Sequence, residues 1–175
     1  MTIRKATIHD IPLIRKMADV AFRETYRDIL SAEQMEYMMV WMYSEESLMR
    51  QMTLEGHQFF VAEMDGSSVG YASVSQDEAD VFHLQKLYVM PEHQGQGVGK
   101  RLLEEVVRYL KQLHPAPLRL ELNVNRRNRA VGFYRRMGLI ILRQGDFPIG
   151  NGYYMNDYIM GKAFFCRETD ETRTE

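Results

Sequence analysis

From Ile3 to Lys162 the spacing of hydrophobic positions alternates between a helical period and a strand period, and each change marks an element. A short strand-like start, Ile3 to Thr7, leads to His9-Asp10-Ile11-Pro12, where Asp10 is placed to cap a helix and Pro12 to sit in its first turn. That helix is predicted to run to about Tyr26. A second begins at Ser31-Ala32-Glu33-Gln34 and carries Met35, Met38, Met39 and Met42 on one face. Ser44-Glu45-Glu46-Ser47 opens a third, short helix toward Leu54. After Gly56 the period becomes two: His57 to Met64, the turn Asp65-Gly66 and Ser68 to Ser75 predict a hairpin, and Val81 to Met90 a further strand stopped by Pro91. Val98 to Leu113 predicts an amphipathic helix with Leu102, Leu103, Val106, Val107 and Leu110 inward. Then come a strand from Leu118 to Val124, a helix from Asn128 to Met137 closed by Gly138, and a last hairpin of Leu139 to Gln144 with Tyr153 to Lys162.

Composition narrows the classes. The 175 residues are 45% hydrophobic and 26% charged, an ordinary globular balance, and no repeat or long linker interrupts them. One domain over residues 1–166 is expected, with a polar tail at 167–175. Lys plus Arg number 22 against 24 Asp plus Glu, a net charge of −2, so no global field favours nucleic acid. A single cysteine, Cys166, excludes an internal disulfide, and the amino-terminal segment lacks an apolar signal core, which together point to a reducing, cytoplasmic setting. No apolar run approaches the ~18 residues of a membrane span. The five histidines never fall at a paired ligand spacing, so no metal site is expected.

The chemistry concentrates in LQKLYVMPEHQGQGVGK, residues 84–100. A strand enters a glycine-rich turn and then a helix, which aims free backbone N–H groups and the positive end of the helix dipole at an anion. Gly95, Gly97 and Gly99 allow close backbone approach, and Lys100 and Arg101 add charge at the edge. A Walker loop would need glycine at Gln94 and a hydroxyl at Arg101; a dinucleotide loop would need glycine at Lys100. The spacing present is QxxGxG, on Gln94, Gly97 and Gly99.

With LYVMPEHQGQGVGKRLL followed in register by LRLELNV and NRAVGFYRRMGL, the chain resembles the GCN5-related N-acetyltransferase (GNAT) family across about the whole of Ile3 to Lys162. FRETYRDILSAEQMEYM, YSEES and GNGYYMNDYIMGK are similar to its PaiA-type polyamine acetyltransferase branch. The resemblance implies an α/β fold with a mixed, mostly antiparallel central sheet flanked by helices, and acetyl-coenzyme A as cosubstrate. It implies a pyrophosphate site at Gln94, Gly95, Gln96, Gly97, Val98, Gly99 and Lys100. The backbone of Leu87, Tyr88 and Val89 would hold the pantetheine and polarise the thioester carbonyl, with Asn128 touching the same arm while capping a helix. Tyr134 matches the tyrosine that faces the leaving thiolate, although a helix aromatic read from spacing alone is more often packing.

The implied reaction is direct attack of a primary amine on the thioester through a tetrahedral intermediate. An alkylamine, with a reference pKa near ~10.4, must first lose a proton. Many relatives carry glutamate where this chain has His83, so His83 is the candidate base, acting directly or through water, with Tyr88, Glu121 and a solvent relay as competitors. Glu24, Asp28, Glu33 and Glu36 could draw in a cation, although each alone is more simply a solvated helix surface. The methionine face is read as core, with a lid over the acceptor as the alternative. The expected partner is a small-molecule amine, with neither nucleic acid nor membrane, and a homodimer remains open. A peptide or protein amine acetyltransferase and a noncatalytic acyl-coenzyme A sensor are the competing readings.

Overall fold

The computed structural model describes residues 1–165; Cys166 and the tail expected at 167–175 lie outside the described residues. Seven strands form one sheet in the order β1-β2-β3-β4-β5-β7-β6. They are β1 (Thr2–Lys5), β2 (Gln58–Met64), β3 (Ser67–Glu78), β4 (Val81–Val89), β5 (Leu118–Asn125), β6 (Ile140–Gly150) and β7 (Tyr153–Phe164). Every neighbouring pair is antiparallel except β4 and β5, which are parallel. The connection between those two is α4 (Val98–Leu113), as a parallel pair requires a crossover. The mixed, mostly antiparallel sheet expected from the sequence is the one observed.

Alternation along the strands splits the core between the two faces. On one, α4 lays Val98, Leu102, Leu103, Val106 and Leu110 against Phe60, Ala72, Leu84, Leu120 and Leu122. Gly70 on β3 permits that approach, since a Cβ there would stand 2.8 Å from the Tyr88 carbonyl oxygen and 3.2 Å from Leu102. On the other face lie α1 (Ile11–Tyr26), α2 (Ala32–Tyr43) and α3 (Glu45–Thr53), which bury Ile14, Phe22, Met35, Met38, Tyr43 and Leu48 over Phe59, Val61 and Tyr71. Met35, Met38 and Met39 are buried, so the methionine face is core rather than a lid.

The serine caps are where the sequence placed them. Ser31 accepts from the backbone N–H of Gln34 and Ser44 from that of Ser47. Asp10 is a correction, because it makes no cap bond to α1. It closes a capping box with Thr7 on a short 3-10 turn and receives the Arg4 guanidinium at 2.8 and 3.0 Å. A two-pronged, charge-assisted contact wins over a single N–H. The last hairpin is longer than predicted: β6 continues past Gln144 to Gly150 and turns on Asn151 and Gly152, both at positive φ. Pro148 hid this extension, but β6 is an edge strand, where a residue without a backbone N–H is tolerated. Helix α5 is shorter than expected, Ala130–Arg136.

Candidate functional site: the cleft where β4 and β5 part

Two parallel strands that pair along their whole length leave no space between them; β4 and β5 pair only at Val81, Phe82 and His83 with Arg119, Leu120 and Glu121. Beyond that point they separate. A bulge starts the separation: Ser73 stands opposite Lys86 while Val74 stands opposite Leu84, which leaves Gln85 as the additional residue and increases the local twist. The opening continues into a cleft of about 700 Å³, lined by the β4 stretch Leu84 to Val89, by Asn123 and Val124 of β5, by the segment after α1 and by α5.

At the outer end of β4, Gln94 donates from Nε2 to the Val89 carbonyl at 3.2 Å and Gln96 donates to that of Glu92 at 3.0 Å, folding the loop back on itself. Gly97 is the residue before α4, at φ +82, and contributes no side-chain cap. The first amides of α4 therefore face the cleft with only Gly97 in front of them, and a Cβ built at Gly97 meets nothing within 4 Å. Gly99 lies within ordinary van der Waals distance of Phe133, Leu87 and Val89, so it joins α4 to the cleft wall. This is the chemistry that holds a pyrophosphate: backbone donors, a dipole end and room for close approach. Arg127, Arg129 and Arg136 also line the cleft and add cationic groups that motif reading passed over. The basic run NRRNR was the available signal.

Along the cleft, Tyr88 packs on Phe22 and Tyr71 with ring centroids 5.7 and 5.6 Å away, and it shares a hydrogen bond with Tyr26. Tyr134 belongs to the core on the α4 side of the sheet and also lines the cleft. Burial, with Tyr26 nearby, raises its phenol above the usual range, so it holds its proton at neutral pH. Asn128 accepts from the Ala130 N–H at 2.9 Å, which starts α5 and so fixes the helix that carries Tyr134. The structure brings together Leu87, Tyr88, Val89, Gln94, Gly95, Gly97, Val98, Gly99, Asn128 and Tyr134, which line one cleft.

Three sequence candidates are placed elsewhere. Gln96 is spent on the loop. Lys100 points outward, 3.8 Å from Glu104 one turn along the helix. His83 stands where β4 and β5 are still paired, opposite Ser75 and Glu121, with Nδ1 3.2 Å from Asp77 Oδ2. Burial lowers its pKa, against the raising effect of Asp77. It lies before the separation begins and does not line the cleft.

A parallel strand pair opened by a bulge, with the start of α4 at its mouth, makes a cleft suited to an extended ligand that carries a phosphate. The chain belongs to the GNAT acetyltransferase family, whose acetyltransferase domain matches residues 26–144. It is an N-acetyltransferase with acetyl-coenzyme A as cosubstrate. It is 30% identical over 171 residues to the spermidine N(1)-acetyltransferase of Thermoplasma acidophilum, covering 93% of this chain and 96% of that one. Among solved structures it is similar to PaiA N-acetyltransferase of the same organism in complex with coenzyme A: 27% identity, TM-score 0.76, with 93% of this chain and 98% of that one covered. The fold is shared with a GCN5-related N-acetyltransferase of Rhodopseudomonas palustris at 23% identity, TM-score 0.76 and coverage of 93% and 95%. No helix of the described residues is long and apolar enough to cross a membrane.

Proposed function

We propose that the chain acetylates a small primary amine, most closely a polyamine, by direct attack of the amine on the acetyl thioester. The observation that carries this reading is the match to a spermidine acetyltransferase over nearly the full length of both chains.

In this reading the first amides of α4, framed by Gln94, Gly95, Gly97, Val98 and Gly99, hold the pyrophosphate, with Lys100 contributing only long-range charge. The β4 stretch Leu87, Tyr88 and Val89, which has no β5 partner, holds the pantetheine along its backbone and polarises the carbonyl as charge develops on its oxygen. Asn128 supports the arm. Tyr134, kept protonated by burial, gives its proton to the departing sulfur. His83 is reached from the cleft only through water, so the proton leaving the amine travels to solvent or along a water chain toward His83 rather than by direct contact. Glu24 in the last turn of α1 and Asp28 just after the helix line the cleft and supply negative charge at the entrance.

The test is a panel of polyamines, monoamines and peptide amino termini incubated with acetyl-coenzyme A, with free thiol as the readout. Spermidine should be among the best acceptors. A consistent preference for peptide amino termini would replace the polyamine by a peptide, and thioester binding without turnover of any amine would favour the sensor reading.

A further inference from the structure

Among the described residues, Asp157 is a buried carboxylate that the preceding chemistry does not use. Asp157 on β7 is 4% exposed. Its Oδ2 accepts from Asn123 Nδ2 at 3.2 Å, and its Oδ1 has no hydrogen-bond partner among the described residues. Burying a carboxylate with half of its acceptor capacity unfilled is costly, and such groups persist where they serve a site. The Arg126 guanidinium acts on it electrostatically but is engaged with Asp146 Oδ1 at 2.7 Å and with the Gly145 carbonyl, while Tyr26 is the titratable group that interacts with it from α1. Burial raises the Asp157 pKa.

The location matters more than the cost. Asp157 stands opposite Asn125 on β5, so by strand alternation it shares a face with Asn123 and with Met155, which is packed into the core under α1 and α2. Asn123 is exposed and lines the cleft just past the point where β4 and β5 part. Tyr134 approaches the same cleft from the α4 core on the other face. One face therefore supplies the donor for the leaving group, and the other supplies an amide backed by a carboxylate.

A carboxylate only accepts, so it draws the Nδ2 of Asn123 toward itself and leaves Oδ1 as the atom presented to the cleft. An amide oxygen in that position accepts an N–H from an incoming amine and orients the nitrogen lone pair toward the carbonyl, while the carboxylate behind it favours a positively charged entrant.

We propose that Asn123 and Asp157 form the acceptor subsite, with Asn123 Oδ1 receiving the N–H of the attacking amine and Asp157 acting as the positioning residue that fixes the amide. The inference rests on the reading of the acceptor as an amine that enters this cleft. It does not depend on that amine being a polyamine.

The experiment is a double-mutant cycle on the wild type, Asn123→Ala, Asp157→Asn and the double variant, assayed with whichever amine the wild type uses best. Coenzyme A affinity by calorimetry and melting temperature are measured for each. Asn123→Ala should lower kcat/KM for the acceptor at least about tenfold, ~1.4 kcal/mol, with coenzyme A affinity within about twofold. Asp157→Asn should lower the same parameter, since an amide partner lets Asn123 flip. The double variant should lie within about twofold of Asn123→Ala, because both substitutions remove one contact. An acceptor kcat/KM unchanged in Asn123→Ala, a full product of the two losses in the double variant, or a loss matched by weaker coenzyme A binding would overturn the subsite. Should Asp157→Asn melt too low to assay, Asn123→Ala, altered at an exposed side chain, decides by itself. If the best wild-type acceptor is a peptide, the polyamine reading fails while the same four proteins still test the subsite.

Discussion

The two ends of the cleft are built on different principles. The outer end, from Val89 to Lys100, is one continuous stretch in which backbone groups are placed to bind and the side chains of Gln94 and Gln96 fold the loop. The inner end gathers single side chains from separate elements: Tyr26 from α1, Tyr88 from β4, Asn123 from β5, Tyr134 from α5 and Asp157 from β7. A phosphate needs donors at a helix start, and a local turn supplies them; a particular amine needs shape and polarity, which only distant segments brought together provide. The outer end should therefore tolerate loss of side chains but not of backbone freedom, and the inner end the reverse.

The largest effect should come from the inner end. Tyr134→Phe keeps the ring and removes one oxygen, and turnover should fall by ~10² to 10⁴ with coenzyme A affinity nearly unchanged. Single-turnover rates check this, and an unchanged chemical step would reduce Tyr134 to packing. At the outer end, Gly97→Val should weaken coenzyme A binding at least about tenfold, ~1.4 kcal/mol, in calorimetry. Because Gly97 sits at φ +82, a β-branched residue there should also cost stability, on the order of 1–2 kcal/mol, visible as a lower melting temperature. A variant that binds as well as the wild type would make the loop a plain turn.

A third measurement concerns the core behind the inner end. Lys86, buried at 6% exposure, donates to Gln51 Oε1 at 2.6 Å and lies 5.4 and 5.7 Å from the Phe59 and Tyr43 rings. Burial brings its pKa down to about 7, with Glu55 opposing. The folded state then binds fewer protons than the unfolded one between pH 7 and the ordinary lysine value near ~10.4, so stability should rise with pH across that window. Lys86→Met should flatten this rise and be the more stable protein near pH 6, as followed by denaturant melts at several pH values. A wild-type profile that is flat over the window and unchanged in Lys86→Met would show the amine to be charged when folded.

Smaller still is the charge effect at the entrance. If Glu24 and Asp28 steer a polyamine, the ratio of kcat/KM for spermidine to that for a neutral-tailed monoamine should exceed one and shrink severalfold as salt is raised. A ratio insensitive to salt would remove the entrance carboxylates from the argument. Least of all should Lys100→Ala matter, with coenzyme A affinity within about twofold, since its ammonium points toward Glu104 and ~1 kcal/mol is the most an exposed pair contributes. A large loss there would mean that side chains, not backbone, carry the outer end.

Much of this was legible in the chain before the fold was known. Ser31 and Ser44 announced their helices, Asp65-Gly66 its hairpin, and QGQGVGK its helix start, because each is decided within a few residues by backbone hydrogen bonding and steric freedom. Asp10 misled because its strongest partner, Arg4, is visible only once the first strand and turn are folded. His83 was read as the candidate base because many relatives carry glutamate at that position, but the ladder between β4 and β5 is still closed there and opens just after it, beside a bulge opposite Ser73 and Val74. Asp157 drew no attention, being one acid in a hairpin that reads as alternating polar and apolar.

The sequence by itself determined the period of most elements and the glycine-rich helix start, since these depend on local geometry, and its resemblance to a family gave the class of reaction, since that rests on residue types held in register. Only the tertiary structure decided which polar side chains share the cleft. Strand pairing sets Asn123 beside Asp157 from 34 positions away, and the cost of leaving that carboxylate half-partnered exists only after the sheet has closed around it.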